Sequence, residues 1–182
     1  MSWPQNAGAP LSETSSWTAA EVGSLLSEER WLVGSATEGQ LAWCQRAAAL
    51  LGPHAADRGA LRKLLRLVFH YDARSLLGEV DSHVVLSRYG ARDALRETGR
   101  MLLESDGLDS DRFKQLITSL RAKLDLSARE VLMPLRLALA GQPGEGELDR
   151  VILLLDEAAA LPWAVPVKGT RARMLEFYAA LD

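Results

Sequence analysis

Among the side chains that could do chemistry, the arginines stand out. Arg88, Arg92, Arg96 and Arg100 recur every fourth residue, so on a helix they form one slowly turning stripe. Asp93 and Glu97 offset it only in part. Arg58, Arg62, Lys63 and Arg66 make a second basic cluster thirty residues earlier. Guanidinium groups meet phosphate oxygens with paired N–H donors, so either set could track a nucleic-acid backbone. A solvated helix face laced with ion pairs is the plainer use of the same pattern. Both uses stay open at this level.

Other chemistry is thin. His54, His70 and His83 are far apart, and Cys44 is the lone cysteine, so neither a zinc site nor an internal disulfide is expected. His70, between Phe69 and Tyr71, reads as a partly buried structural histidine rather than a general base. Ser110 and Ser127 read as helix starts, and Glu28-Glu29 as a solvated face. There is no P-loop and no Gly-x-Gly-x-x-Gly after a strand. No metal and no cofactor are expected.

The bulk numbers bound the partners. The chain has 182 residues, a formal net charge of −3, 48% hydrophobic and 25% charged residues, an ordinary globular balance. A dedicated RNA-binding module usually carries a basic excess, because phosphate neutralisation drives much of its affinity. Here any such affinity must come from a local patch. No apolar run approaches the roughly 20 residues that span a bilayer, and no signal peptide is readable. A soluble, cytoplasmic protein without membrane contact is the expectation.

The elements that would position these arginines are helices. Residues 1–16, rich in Ser, Pro, Gly and Ala, read as a disordered tail. Thr18 with Glu21, Thr37 with Gln40, and Ser127 with Glu130 have the spacing of capping boxes. Leu61, Leu64, Leu65, Val68 and Phe69 form an i, i+3, i+4, i+7, i+8 stripe. Ala91, Ala94, Leu95, Thr98 and Leu102 form another, and Phe113, Leu116, Ile117, Leu120 and Leu124 a third. A short connecting region is expected after Tyr71-Asp72, running through Val84-Val85-Leu86. Pro134 should kink a helix or mark its restart, and Gly141 suits a C′ position. Leu148, Val151, Ile152 and Leu155 give a further stripe, and a last helix begins near Thr170. Trp43 fits a helix interior. Trp17, Trp31 and Trp163 lie near element ends, suited to covering core edges or forming a contact surface. The reading is all-α: seven or eight helices in two packed subdomains, 17–125 and 126–182.

One segment carries a family resemblance. Met133-Pro134-Leu135-Arg136 through Gly141 resembles the Pro-Leu-Arg motif of the C-terminal, anticodon-binding half of bacterial glutamyl-tRNA synthetases. Leu64 to Phe69 and Tyr71-Asp72 resemble that family's helix leading to an aromatic cluster and an acidic turn. The likeness covers roughly residues 55–158. It implies two helical domains that hold an anticodon stem-loop, with Arg136 meeting anticodon bases and Leu148 in a neighbouring contact loop. By the residues alone, Arg136 equally suits bracing a helix end against a carboxylate. The family's Thr-Pro or Ser-Pro is replaced here by Glu145-Gly146-Glu147. A carboxylate about 4 Å from a phosphate costs on the order of 4 kcal/mol at an effective dielectric near 20, less when exposed.

The class I signatures for ATP, a His-x-Gly-His-like stretch and a Lys-Met-Ser-Lys-Ser-like loop, are absent. The expectation is a non-catalytic tRNA-binding-type module contacting RNA through Arg58, Arg62, Arg66, Arg92, Arg96, Arg136 and Leu148. Met1 ahead of such a tail favours a free-standing chain over a piece of a longer synthetase. The alternative is a protein-interaction or regulatory paralogue that kept the scaffold and lost RNA contact.

Overall fold

The computed structural model describes residues 17–181, and the tail expected over residues 1–16 lies outside them. Among the described residues there are ten α-helices, one 3-10 turn at Gly52–His54 and no strand. In chain order the helices are α1 (Ala19–Glu28), α2 (Glu38–Leu51), α3 (Arg58–Phe69), α4 (Ala73–Leu77) and α5 (Val80–Leu86). They continue with α6 (Ala91–Leu103), α7 (Ser110–Leu124), α8 (Ala128–Ala140), α9 (Glu147–Ala159) and α10 (Thr170–Leu181).

Local chemistry sets the starts. All three capping boxes form: the hydroxyls of Thr18, Thr37 and Ser127 accept the N3 amides, and the N3 side chains return to the cap amides. Each box satisfies two helix-end donors that would otherwise lack a partner. Asp57, Asp72 and Asp109 cap α3, α4 and α7 in the simpler way.

Residues 73–86 differ from the expected connection. They form α4 and α5, of five and seven residues. Helices this short do not complete enough turns to show a 3.6-residue period. Asp72 starts the first by accepting the Ser75 amide. Of the two outcomes expected at Pro134, a kink or a restart, the restart does not occur: α8 runs without a break across it. Eight of its thirteen residues are buried, and an all-round apolar helix of this kind lies at the centre of a fold. Gly141 ends α8 in the left-handed region (φ 87°), its amide shared between the Arg136 and Leu137 carbonyls.

The core is contiguous from Val22 to Phe177. α1 packs on α2, α2 and α3 pack on α9, and α8 meets α5, α6, α7, α9 and α10. α9 thus joins the first helices to the group around α8. Trp31 stacks on Phe69 with ring centroids 4.6 Å apart, while Trp43 and Trp163 meet Phe69 edge-on at 5.7 and 5.2 Å. Trp31 is therefore part of the core itself, and the partly buried Trp163 packs against it. Trp17 ties the start of the described chain to the loop before α3 by donating to the Ala55 carbonyl.

Candidate nucleic-acid interface

Arg136 sits on the face of α8 that meets α9. Its Nε and Nη2 donate to the two carboxylate oxygens of Asp149 at 2.7 and 2.9 Å, and Nη1 donates to the Gly144 carbonyl at 2.9 Å. The side chain is 8% exposed. The hydrogen-bonded Asp149 carboxylate raises its pKa above the usual arginine value, against the opposing pull of burial. This bidentate fork is the geometry that arginine and carboxylate prefer. It clamps the loop between α8 and α9 to both helices, which is the bracing arrangement left open by the sequence. Leu148, one residue before Asp149, is fully buried.

The arginines of α3 are also engaged. Arg58 and Arg62 bind opposite oxygens of Glu28, the second at 2.7 Å. Arg62 also lies 3.3 Å and Arg66 3.6 Å from Glu29. Glu28 ends α1 and Glu29 is its C-cap, so α1 sets two carboxylates against the basic face of α3. The hydrogen bond from Arg58 holds the Glu28 carboxyl below its usual range. The pair Glu28-Glu29 thus supplies counter-charge to the α3 cluster, with Glu28 still exposed to solvent. No local pattern signals it, since thirty residues separate Glu28 from Arg58. Lys63 stays exposed.

The stripe on α6 behaves differently. Arg100 is bound by Glu97 and Glu104. Arg88 reaches across to α8 and donates to the Met133 sulfur at 3.2 Å, a weak acceptor. Arg96 has a loose contact with Asp93 at 3.4 Å, both side chains well exposed at 72% and 63%. Arg92 is exposed and makes no ion pair among the described residues. Arg88, Arg92 and Arg96 line a cleft of about 650 Å³ together with His83, Ser87 and Asp93. Tyr89, between Arg88 and Gly90 in the chain, is 83% exposed. The cleft therefore holds three guanidinium groups against one carboxylate.

Other residues fix the scaffold beneath these sites. Arg173 is fully buried and donates to the carbonyls of Lys168, Leu139 and Val68, on three separate segments. Its guanidinium lies 4.6 Å from the Tyr71 ring centroid. Burial pulls it down to about 10, so it stays charged at neutral pH. The Tyr71 hydroxyl donates to the Ala138 carbonyl, and burial pushes that phenol up. Asp156 accepts from the Leu108 and Thr170 amides and from the Thr170 hydroxyl. The sequence reading singled out neither Arg173 nor Asp156, because their partners are distant backbone groups. His70 is exposed, with its ring edge-on to Trp31, and not partly buried.

An all-helical bundle with a Met-Pro-Leu-Arg helix at its centre defines an anticodon-binding type of domain. The family model described as anticodon binding domain matches residues 26–161, and the chain belongs to that family. It is also 32% identical over 94 residues to a glutamate–tRNA ligase from Carboxydothermus hydrogenoformans. That stretch is 52% of this chain and 18% of the ligase, so the chain spans less than a fifth of that relative. No solved structure matched the chain. None of its described helices is long and apolar enough to cross a membrane.

Proposed function

We propose that this chain is a non-catalytic RNA-binding module that meets the backbone of a tRNA-type stem-loop with Arg88, Arg92 and Arg96. The observation that carries the reading is the cleft itself: three arginines without a strong carboxylate partner, in a member of an anticodon-binding family. The ligase relative acts on tRNA by its name, which makes tRNA the first RNA to test. In this reading Arg92 and Arg96 touch phosphates directly. Arg136 and Leu148 hold the scaffold, because their charge or surface is already covered, and the part-exposed Arg58, Arg62 and Arg66 are drawn to Glu28 and Glu29. The place of action is then the cytoplasm.

A second reading has its own support. The arginines of α3 and Arg136 of α8 face carboxylates, as expected of a paralogue that turned to a protein partner. Titration with tRNA at low and moderate salt separates the two. Binding that weakens steeply with salt, and a salt slope reduced by about 1 in Arg92→Ala, supports the first. Absence of binding at low salt, with a stable protein complex recovered instead, supports the second.

A further inference from the structure

We propose that Met133 is an oxidation site that regulates the arginine-lined cleft. A peroxide converts its thioether to a sulfoxide, and the sulfoxide holds the Arg88 guanidinium on α8, away from a bound phosphate. The consequence for binding rests on the RNA reading; the oxidation and the capture of Arg88 do not.

Arg88 stands in the turn between α5 and α6 and lines the cleft with Arg92 and Arg96. Its Nη1 reaches out of that stripe to the Met133 sulfur on α8, 3.2 Å away. A thioether is a weak acceptor, so the guanidinium is placed there but barely held. It pairs with no carboxylate among the described residues. The turn keeps this approach fixed. Gly90 lies in the left-handed region at φ +70°, and a Cβ there would come within 2.8 Å of Leu126, just ahead of α8.

The other sulfurs differ. Met133 is partly exposed, whereas Met174 is sealed in the core at 1% exposure. Met101 is also partly exposed, but no arginine donates to its sulfur among the described residues. Cys44 is fully buried, and burial pushes its thiol up to about 11. It therefore offers almost no thiolate to a peroxide at neutral pH.

With hydrogen peroxide as the oxidant, a lone pair of the Met133 sulfur attacks one peroxide oxygen. The O–O bond breaks as the S–O bond forms, and the sulfur gives up two electrons. The departing hydroxide takes the proton of the transferred oxygen and leaves as water. The product is a polar sulfoxide, which a sulfoxide reductase returns to the thioether. Its oxygen puts a strong acceptor beside a charged donor, and charge-assisted hydrogen bonds are roughly twice as strong as neutral ones. Arg88 then stays on α8, and the cleft offers a phosphate two guanidinium groups in place of three.

To test this, the full chain is treated with dilute hydrogen peroxide, mapped by mass spectrometry and titrated with tRNA across a salt series. The Nε–H signal of Arg88 is followed by NMR. Oxidised wild type is expected to bind severalfold more weakly, with a salt slope lower by about 1, and a sulfoxide reductase restores both. Met133→Leu keeps its affinity through the same treatment, whereas Met101→Leu loses it as wild type does. The Arg88 signal shifts as Met133 is converted, with or without RNA. A loss of affinity equal in Met133→Leu and wild type overturns the inference. So does an Arg88 signal unmoved by conversion of Met133, a Met133 left unconverted at doses that convert Met101, or a loss of helical circular dichroism on oxidation. Failure of the reduced protein to bind tRNA removes the RNA reading alone, and the Arg88 signal still decides the capture.

Discussion

Arginines recur at the same four-residue spacing on α3 and on α6, yet α1 sets carboxylates against the α3 arginines, while on α6 Arg100 is held by its own helix, Arg96 only loosely and Arg92 by no carboxylate among the described residues. Glu28 and Glu29 reach Arg58, Arg62 and Arg66, while Arg92 has no carboxylate partner among the described residues and Arg88 only a thioether. A run of basic residues is therefore not yet a basic surface. What a polyanion feels is the charge remaining after tertiary pairing, and that is set by whichever helix packs alongside. Arg136 extends the contrast: it is the arginine most buried against a carboxylate and the one that the family motif singles out.

The comparison divides the arginines by what their loss should change. Engaged arginines should register in stability, open ones in binding. The largest effect is expected at Arg136. Removing it leaves Asp149 and the Gly144 carbonyl without their donors, at a cost of about 3 kcal/mol, read from urea denaturation. In Arg136→Ala with Asp149→Ala together, the loss should be smaller than the sum of the two single losses. Full additivity would mean that the pair does not hold the α8–α9 loop.

Next comes the open set. Arg92→Ala with Arg96→Ala should lower the salt slope of RNA binding by about 2 and shift unfolding by no more than about 0.5 kcal/mol. A large stability loss would place these two with the structural arginines and dissolve the contrast.

A smaller effect tests the neutralised set from the other side. Glu28→Gln with Glu29→Gln frees the α3 guanidinium groups, so RNA affinity should rise severalfold at low salt and converge with wild type as salt screens the gain. An unchanged affinity would show that the α3 face is out of reach of RNA whatever its charge.

The smallest effect is the acid limb. Hydrogen bonds from Arg58 to Glu28 and from Lys123 to Glu97 hold these carboxyls below their ordinary value near 4.5, as do the capping contacts of Glu21 with Thr18 and Glu130 with Ser127. Folded carboxyls with lowered pKa bind fewer protons than unfolded ones, so their stabilisation is present above that value and fades as pH falls through it. Melting temperature should be flat from neutrality to about pH 5 and decline below about 4.5. A decline beginning near neutrality would implicate other groups.

Much of the architecture was legible in the sequence because it is local. Capping boxes span three residues, and the apolar stripes of α3, α6 and α7 repeat within each helix, so Leu61, Leu65, Ala94, Leu95 and Leu116 fell on buried faces as their spacing implied. The helices α4 and α5 were not legible, being too short to display a period. The resemblance at Met133 to Gly141 identified the family through a segment buried for packing reasons. The state of each arginine was illegible for a different reason. Asp149 lies thirteen residues from Arg136 and Glu28 thirty from Arg58, so their pairing exists only once α9 and α1 have docked.

On the proposed reading, RNA meets the α6 face and not α3 or the α8–α9 loop. Ultraviolet crosslinking of the full chain to tRNA at low salt, followed by mass-spectrometric assignment of the modified peptide, tests it most directly. The expected crosslink lies in the segment from Ser87 to Arg96. Crosslinks confined to Arg58–Arg66 or to residues 142–149 would contradict it.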